Sequence, residues 1–189
     1  MYTHREATHM SRVLVYASMS LDGYVAGDDV SHDHPMGVGG EELHRWMFGA
    51  VVDPADRALL DEVRVGTGAV VLGRRTFDVG LAHWNDVPYP VPSFVVTHRP
   101  RPDLPQESGT FSFVDGVEAA VERARAVAGE GTVTIMGAQV QRQALAAGLV
   151  DEVLVSLVPV LLGAGATLFA GLPRASFTGP VRHLRAGVR

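Results

Sequence analysis

Short apolar runs and helix-spaced apolar stripes alternate along the chain, divided by glycine, proline and aspartate. Residues 12–20 (RVLVYASMS) are rich in β-formers, and Asp22-Gly23 behind them signals a turn. Residues 27–40 carry Gly, Pro, Asp and Ser with no period, which predicts a flexible loop. A short helix is expected over 41–48, with Leu43, Trp46 and Met47 on one side. Asp53-Pro54 is a helix start, an N-cap acceptor followed by proline at the first helical position. Ala55, Leu59 and Val63 continue it at helical spacing until Gly66 and Gly68.

Residues 69–72 (AVVL) form a continuous apolar run, the pattern of a strand covered on both faces. Gly73-Arg74-Arg75-Thr76-Phe77 then turns into a helix, and 92–97 reads as another buried strand. Thr110–Val114 alternates like an exposed strand. Val117, Ala120, Val121, Ala124 and Val127 make a helical stripe closed by Gly129 and Gly131. A strand at Thr132–Met136, a helix at 138–147 stopped by Gly148, and a β-branched strand at 150–159 follow. A glycine-rich loop at 161–166 and a last strand at 177–184 end the pattern. Strands and helices alternating at these lengths predict one α/β domain over 11–189, with a mostly parallel sheet and no repeat or linker.

Composition narrows the function classes. Apolar residues make up 47% and charged ones 20%, close to the soluble globular average. Sixteen basic and 21 acidic residues leave a net charge of −5, so no global basic field attracts nucleic acid or anionic lipid. The absence of cysteine excludes a disulfide framework, a thiol nucleophile and any Cys-based metal site. It also fits a cytoplasmic location. Apolar runs such as 153–162 are about half the length needed to cross a bilayer. Residues 1–10 are polar and lack the apolar core of a signal peptide; a disordered leader or tag remnant is expected there.

The candidate chemistry lies in loops that leave the predicted strands, where open α/β sheets bind their ligands. Arg74 and Arg75 stand at a helix N-terminus, a place that disfavours cations unless an anion is also bound. Free N–H groups, the Thr76 hydroxyl and a guanidinium fork would together hold a phosphate. The plainer alternative has both arginines in water, or paired with Asp56, Asp61 or Glu62. Thr97-His98-Arg99 ends a buried strand and adds a hydroxyl, an imidazole and a guanidinium to the same sheet edge.

Met136-Gly137-Ala138-Gln139 is a small-residue turn that allows close backbone approach, though it is not the GxGxxG fingerprint. Asp22 is either a turn former or a carboxylate that fixes a substrate or assists proton transfer. His32-Asp33-His34 lacks further ligands, so no metal is expected. Trp46 and Trp84 suit packing, and no GxSxG context supports a serine nucleophile.

Taken in order, SMSLDGYVAG (18–27), EELHRW (41–46), AVVLGRRTFDVG (69–80), Trp84, SFVVTHRP (93–100) and the run from Val133 to Phe169 resemble the dihydrofolate reductase-like superfamily. The resemblance is to its bacterial branch related to the RibD C-terminal domain of riboflavin biosynthesis, and it spans roughly residues 12–170. It implies a three-layer αβα fold with a mostly parallel central sheet and an antiparallel C-terminal strand. It also implies NADPH across the carboxyl ends of the strands and a homodimer.

Gly73, Arg74, Arg75 and Thr76 match the family's phosphate turn; Thr97, His98 and Arg99 match the loop near the 2′-phosphate. Gly137, Ala138, Gln139 and Val140 match the turn beside the pyrophosphate and nicotinamide ribose, and Leu162 and Gly163 a loop near the cofactor. Asp22 matches an aspartate on the substrate side, with Gly23 and Trp46 beside it, and 27–40 the loop that closes over it. Arginines suit a 2′-phosphate, so NADPH is expected over NADH.

The implied activity is reduction of a small heterocycle, of pterin or ribosylamino-pyrimidine type. Relatives usually carry a glycine pair where this chain has Met136-Gly137, a departure that favours the alternative of a non-catalytic nucleotide-binding module. Reduction of another small metabolite is the leading alternative in the same class, and a paralogue with no cofactor, against which Arg74, Arg75 and Thr76 argue, is the third reading.

Overall fold

The computed structural model describes residues 11–49, 52–84, 90–107 and 109–177. Its main sheet has seven strands, in the order β5-β6-β4-β3-β7-β1-β8. These are β1 (Val13–Ser20), β3 (Thr67–Gly73), β4 (Ser93–Val96), β5 (Leu104–Pro105), β6 (Thr110–Val114), β7 (Thr132–Met136) and β8 (Glu152–Val158). All neighbouring pairs are parallel except β5 with β6. A two-stranded ribbon joins β2 (Tyr24–Ala26) to β9 (Ala166–Thr167), antiparallel.

Register explains the two cores. Val15, Ile135, Val71 and Phe94 stand side by side on one face. There they pack with α4 (Val117–Val127) and α5 (Ala138–Ala146) through Ala120, Val121, Ala124, Val140 and Ala144. On the opposite face Leu72, between Met136 and Val95, packs with α3 (Arg74–Leu81) through Phe77. Phe77 meets Phe111 and Phe113 edge-on, at ring centroid distances of 5.0 and 5.2 Å. Complete burial of this ring stabilises the fold by about 2–3 kcal/mol and fixes where α3 begins. The short α1 (Arg45–Phe48) follows a 3₁₀ turn at Gly40–His44, and α2 (Pro54–Gly66) starts with Asp53 Oδ1 accepting from the Ala55 N–H at 2.8 Å.

Three expectations change in the structure. Thr110–Val114 is not an exposed strand: β5 covers its outer edge, and Phe111, Ser112 and Val114 are buried. The stripe of α4 ends at Ala124, since Val127, at the helix's last position, is 50% exposed. Ala55 is exposed, and Leu59 and Val63 are only half-buried, so α2 contributes no buried residue.

The loop at 27–40 is compact. Gly27 N–H donates to Met36 O at 2.9 Å and Val38 N–H to Asp28 O at 2.7 Å. A Cβ on Gly27 would lie 2.0 Å from the Val38 carbonyl oxygen, and only glycine allows that approach. The last strand of the sheet within the described residues, β8, runs parallel to β1. The strand expected at 177–184 lies, beyond Phe177, outside the described residues, as do residues 1–10.

Candidate functional site

Three helix N-termini open on one cleft. Helices α3, α4 and α5 each follow a strand end, and their N-caps are Gly73, Gly116 and Gly137. Glycine has no side-chain acceptor, and none of the three helices has a side-chain cap. Their first N–H groups and dipoles therefore remain available for an anion.

The cleft between them has a volume of about 910 Å³. Gly73, Arg74, Arg75, Thr76, Thr97, His98, Arg99, Gly137, Ala138, Gln139 and Val140, all singled out from sequence, line it. Gly137 is held at φ 88° and ψ 124°, and a Cβ there would come within 2.5 Å of the Thr76 hydroxyl oxygen. That places α3 and α5 at glycine distance, with the Thr76 hydroxyl between them. Arg74 Nε donates to Asp78 Oδ1 at 2.8 Å, one turn along its own helix. That ion pair aligns the side chain along α3 while the residue still lines the cleft.

Sequence reasoning missed the third mouth of the cleft. Gly116, Val117 and Glu118 line it, as does Arg142 on the second turn of α5. Asp115-Gly116 before the α4 stripe is the same strand-glycine-helix signal as Gly73 and Gly137, and it could have been read as such. Val30 and Pro35 of the 27–40 loop, with Val25, Ala26 and Ala166 of the ribbon, form the apolar wall. Arg74, Arg75, Arg99 and Arg142 against Glu118 make the facing wall cationic within an acidic chain.

The other predicted residues lie off the wall. Ser20 Oγ accepts the Tyr24 N–H at 2.9 Å and donates to Asp22 Oδ1 at 2.5 Å. Asp22 also accepts the N–H groups of Leu162 (3.2 Å) and Gly163 (2.7 Å). The Ser20 hydroxyl and these amides hold its carboxyl below the usual value, so it stays ionised and fastens the 160s loop to the end of β1. Gly23 (φ 88°) closes the turn, donating to Ser20 O at 3.0 Å.

Trp46 Nε1 donates to Ser18 Oγ at 3.0 Å, which docks α1 on the side of β1 away from α4 and α5. The Tyr16 hydroxyl, two residues back along that strand, is sealed from solvent. Burial raises its pKa, the Ser156 hydroxyl opposes the rise and the Asp56 carboxylate adds to it. Met136 packs into the Phe77 core and does not line the cleft. The described residues gather no group of three or more His, Asp or Glu side chains that could hold a metal ion. None of the described helices is long and apolar enough to cross a membrane.

A profile of the RibD C-terminal domain matches residues 11–185. The chain belongs to the RibD C-terminal domain family. Among solved structures it is similar to a Shewanella sp. PV-4 protein described as a riboflavin biosynthesis protein, at 28% identity and a TM-score of 0.62, covering 87% of this chain and 86% of that one. Dihydrofolate reductase from Enterococcus faecalis, complexed with NADP(H) and RAB-propyl, shares the fold at 19% identity and a TM-score of 0.52, over 85% of this chain and 78% of that one.

The Thermotoga maritima diaminohydroxyphosphoribosylaminopyrimidine deaminase/5-amino-6-(5-phosphoribosylamino)uracil reductase also shares it, at 15% identity and a TM-score of 0.53. The match covers 90% of this chain but 51% of that one, so the chain spans about half of the two-activity protein. No curated protein matches the chain in sequence. The RibD C-terminal fold is thus a mixed, mostly parallel sheet between helices, with the cationic cleft at its carboxyl edge.

Proposed function

We propose that this RibD C-terminal family member is a homodimeric, cytoplasmic reductase that uses NADPH to reduce a small heterocycle of pterin or ribosylamino-pyrimidine type. The observation that carries the reading is the convergence of three uncapped helix N-termini and four arginines on one cleft. A dinucleotide with three phosphates matches such a site in charge and in the number of anion-binding termini.

Gly73, Arg74, Arg75 and Thr76 would hold the pyrophosphate from the α3 side, with Gly137, Ala138, Gln139 and Val140 opposite. Thr97, His98 and Arg99 would hold the 2′-phosphate. Bound there, the cofactor would supply hydride to an electrophilic carbon of the substrate, with the balancing proton drawn from water. The residues of the chain orient both partners and exclude water, with Val30 and Pro35 as the apolar cover. Asp22 serves by fixing the 160s loop, so that Leu162 and Gly163 stay near the cofactor. Its low pKa supports this positioning role over proton donation near neutral pH.

The homodimer is supported by exposed apolar side chains on and after the outer strand β8, Leu157 (57%) and Leu161 (74%). Sedimentation at micromolar concentration measures it. The test of catalysis is loss of NADPH absorbance when dihydropterins and ribosylamino-pyrimidines are added in turn. Turnover with either class supports the reading. NADPH binding with no turnover across both classes would instead favour the nucleotide-binding module, the alternative that Met136 keeps open.

A further inference from the structure

We infer that Asp115 sets the cleft's preference for a 2′-phosphorylated nucleotide by holding the imidazole of His98, an inference that rests on the NADPH reading above. Strands β4 and β6 are parallel neighbours with Val96 beside Val114, and the Thr97 N–H donates to Val114 O at 2.9 Å. The next residues of each strand, Thr97-His98-Arg99 and Asp115-Gly116, therefore leave the sheet side by side. The Thr97 hydroxyl accepts the Arg99 N–H at 3.1 Å and closes a turn that lifts His98 out of the strand direction. His98 Nδ1 then lies 2.5 Å from Asp115 Oδ1.

A carboxylate oxygen accepts, so Nδ1 carries a proton and Nε2 is the edge left for a ligand, where an imidazolium, with a proton on each nitrogen, donates to a phosphate oxygen. His98 lines the cleft, while Asp115 stands behind the ring and off the wall. Their side chains are 87% and 77% exposed, so the pair is no part of a core and contributes little to folding.

The same end of the cleft carries a second carboxylate. Glu118, in the first turn of α4, lines the wall directly and has no recorded contact with the His98 ring among the described residues. Coulomb repulsion alone would make both carboxylates weaken binding of a 2′-phosphate. The geometry separates them. Glu118 faces the ligand as a like charge, whereas Asp115 acts through the ring it orients. Asp115 is a positioning residue, and its removal should change affinity in the opposite sense to that of Glu118.

The test is a titration of the full chain with NADPH and, separately, with NADH, which lacks the 2′-phosphate. Asp115→Ala is expected to weaken NADPH about two- to fivefold, the range of an exposed charge pair, and to leave NADH unchanged. Asp115→Asn, which can still accept from Nδ1–H, should retain part of the affinity. In a His98→Gln background Asp115→Ala should cause no further loss, and Glu118→Gln should tighten NADPH.

Tightening by Asp115→Ala would mark it as a bare repulsive charge, and equal weakening of both nucleotides would mark a structural role. Either overturns the inference and leaves the cofactor reading intact. Failure of the wild-type chain to bind either nucleotide overturns both.

Discussion

The cleft wall and the Asp22 corner sit at the same sheet edge and are built on opposite principles. On the wall, helix N-termini are left uncapped and arginines accumulate beside them, so backbone donors and charge await an anion. At the Asp22 corner every group is already engaged: Ser20, Leu162 and Gly163 donate to the carboxylate, and Trp46 is tied to Ser18. An open set of donors signals a binding surface, and a satisfied set signals a joint. The difference separates the residues that hold a ligand from those that hold the loops around it.

Phe77→Ala should break the comparison most severely. It empties a fully buried site under α3, with an expected loss of about 3–5 kcal/mol in denaturant unfolding, and it frees the start of the helix that carries Arg74 to Thr76. Gly137→Val comes next. Its side chain would meet the Thr76 hydroxyl at a φ of 88°, at a cost of about 1–3 kcal/mol, and calorimetry should find NADPH binding lost.

Arg75→Ala should weaken NADPH about tenfold or more with little change in melting temperature, because a charge-assisted phosphate contact is worth roughly 1.5–3 kcal/mol. A melting temperature that fell as far as the affinity would erase the distinction between wall and joint.

Asp22→Asn tests the joint. The folded-state pKa of Asp22 is lowered from 3.8, so the stability it contributes is present above the unfolded value and is lost as pH falls through the folded one. Thermal melts of wild type and variant should differ by a constant amount above about pH 5 and converge as the solution is acidified below 3.8. NADPH affinity should change less than for Arg75→Ala. The smallest effect belongs to Asp78→Asn, which removes a half-exposed pair with Arg74 and should alter stability by no more than about 0.5 kcal/mol.

The sheet and the wall were legible because their signals are local. Four apolar residues in a row at 69–72, flanked by Gly68 and Gly73, carry the pattern of a covered strand, and two arginines after a glycine conflict with a helix dipole wherever the strand lies. The covering of β6 was not legible. Its edge is closed by the two-residue β5, too short to leave a periodic trace, so alternation in Thr110–Val114 read as exposure.

The 27–40 segment was legible as a loop but not in its shape. Its glycines and aspartates carry no period, yet the backbone bonds of Gly27 and Val38 and the contact of Gly27 with the Val38 carbonyl make it compact. Asp22 fell between the two cases. Ser20-Leu21-Asp22-Gly23 announced a turn, but the partners of the carboxylate lie some 140 residues away, where only the folded chain brings them.

The measurement that tests the central claim most directly is a titration of the purified chain with NADPH and with NADH, repeated on Arg74→Ala and Arg75→Ala. Binding is read from ligand-linked thermal stabilisation. The account predicts clearly tighter binding of NADPH by the wild-type chain, with most of that affinity removed by either arginine substitution. Equal or absent binding of both nucleotides, or an affinity indifferent to both arginines, would contradict it.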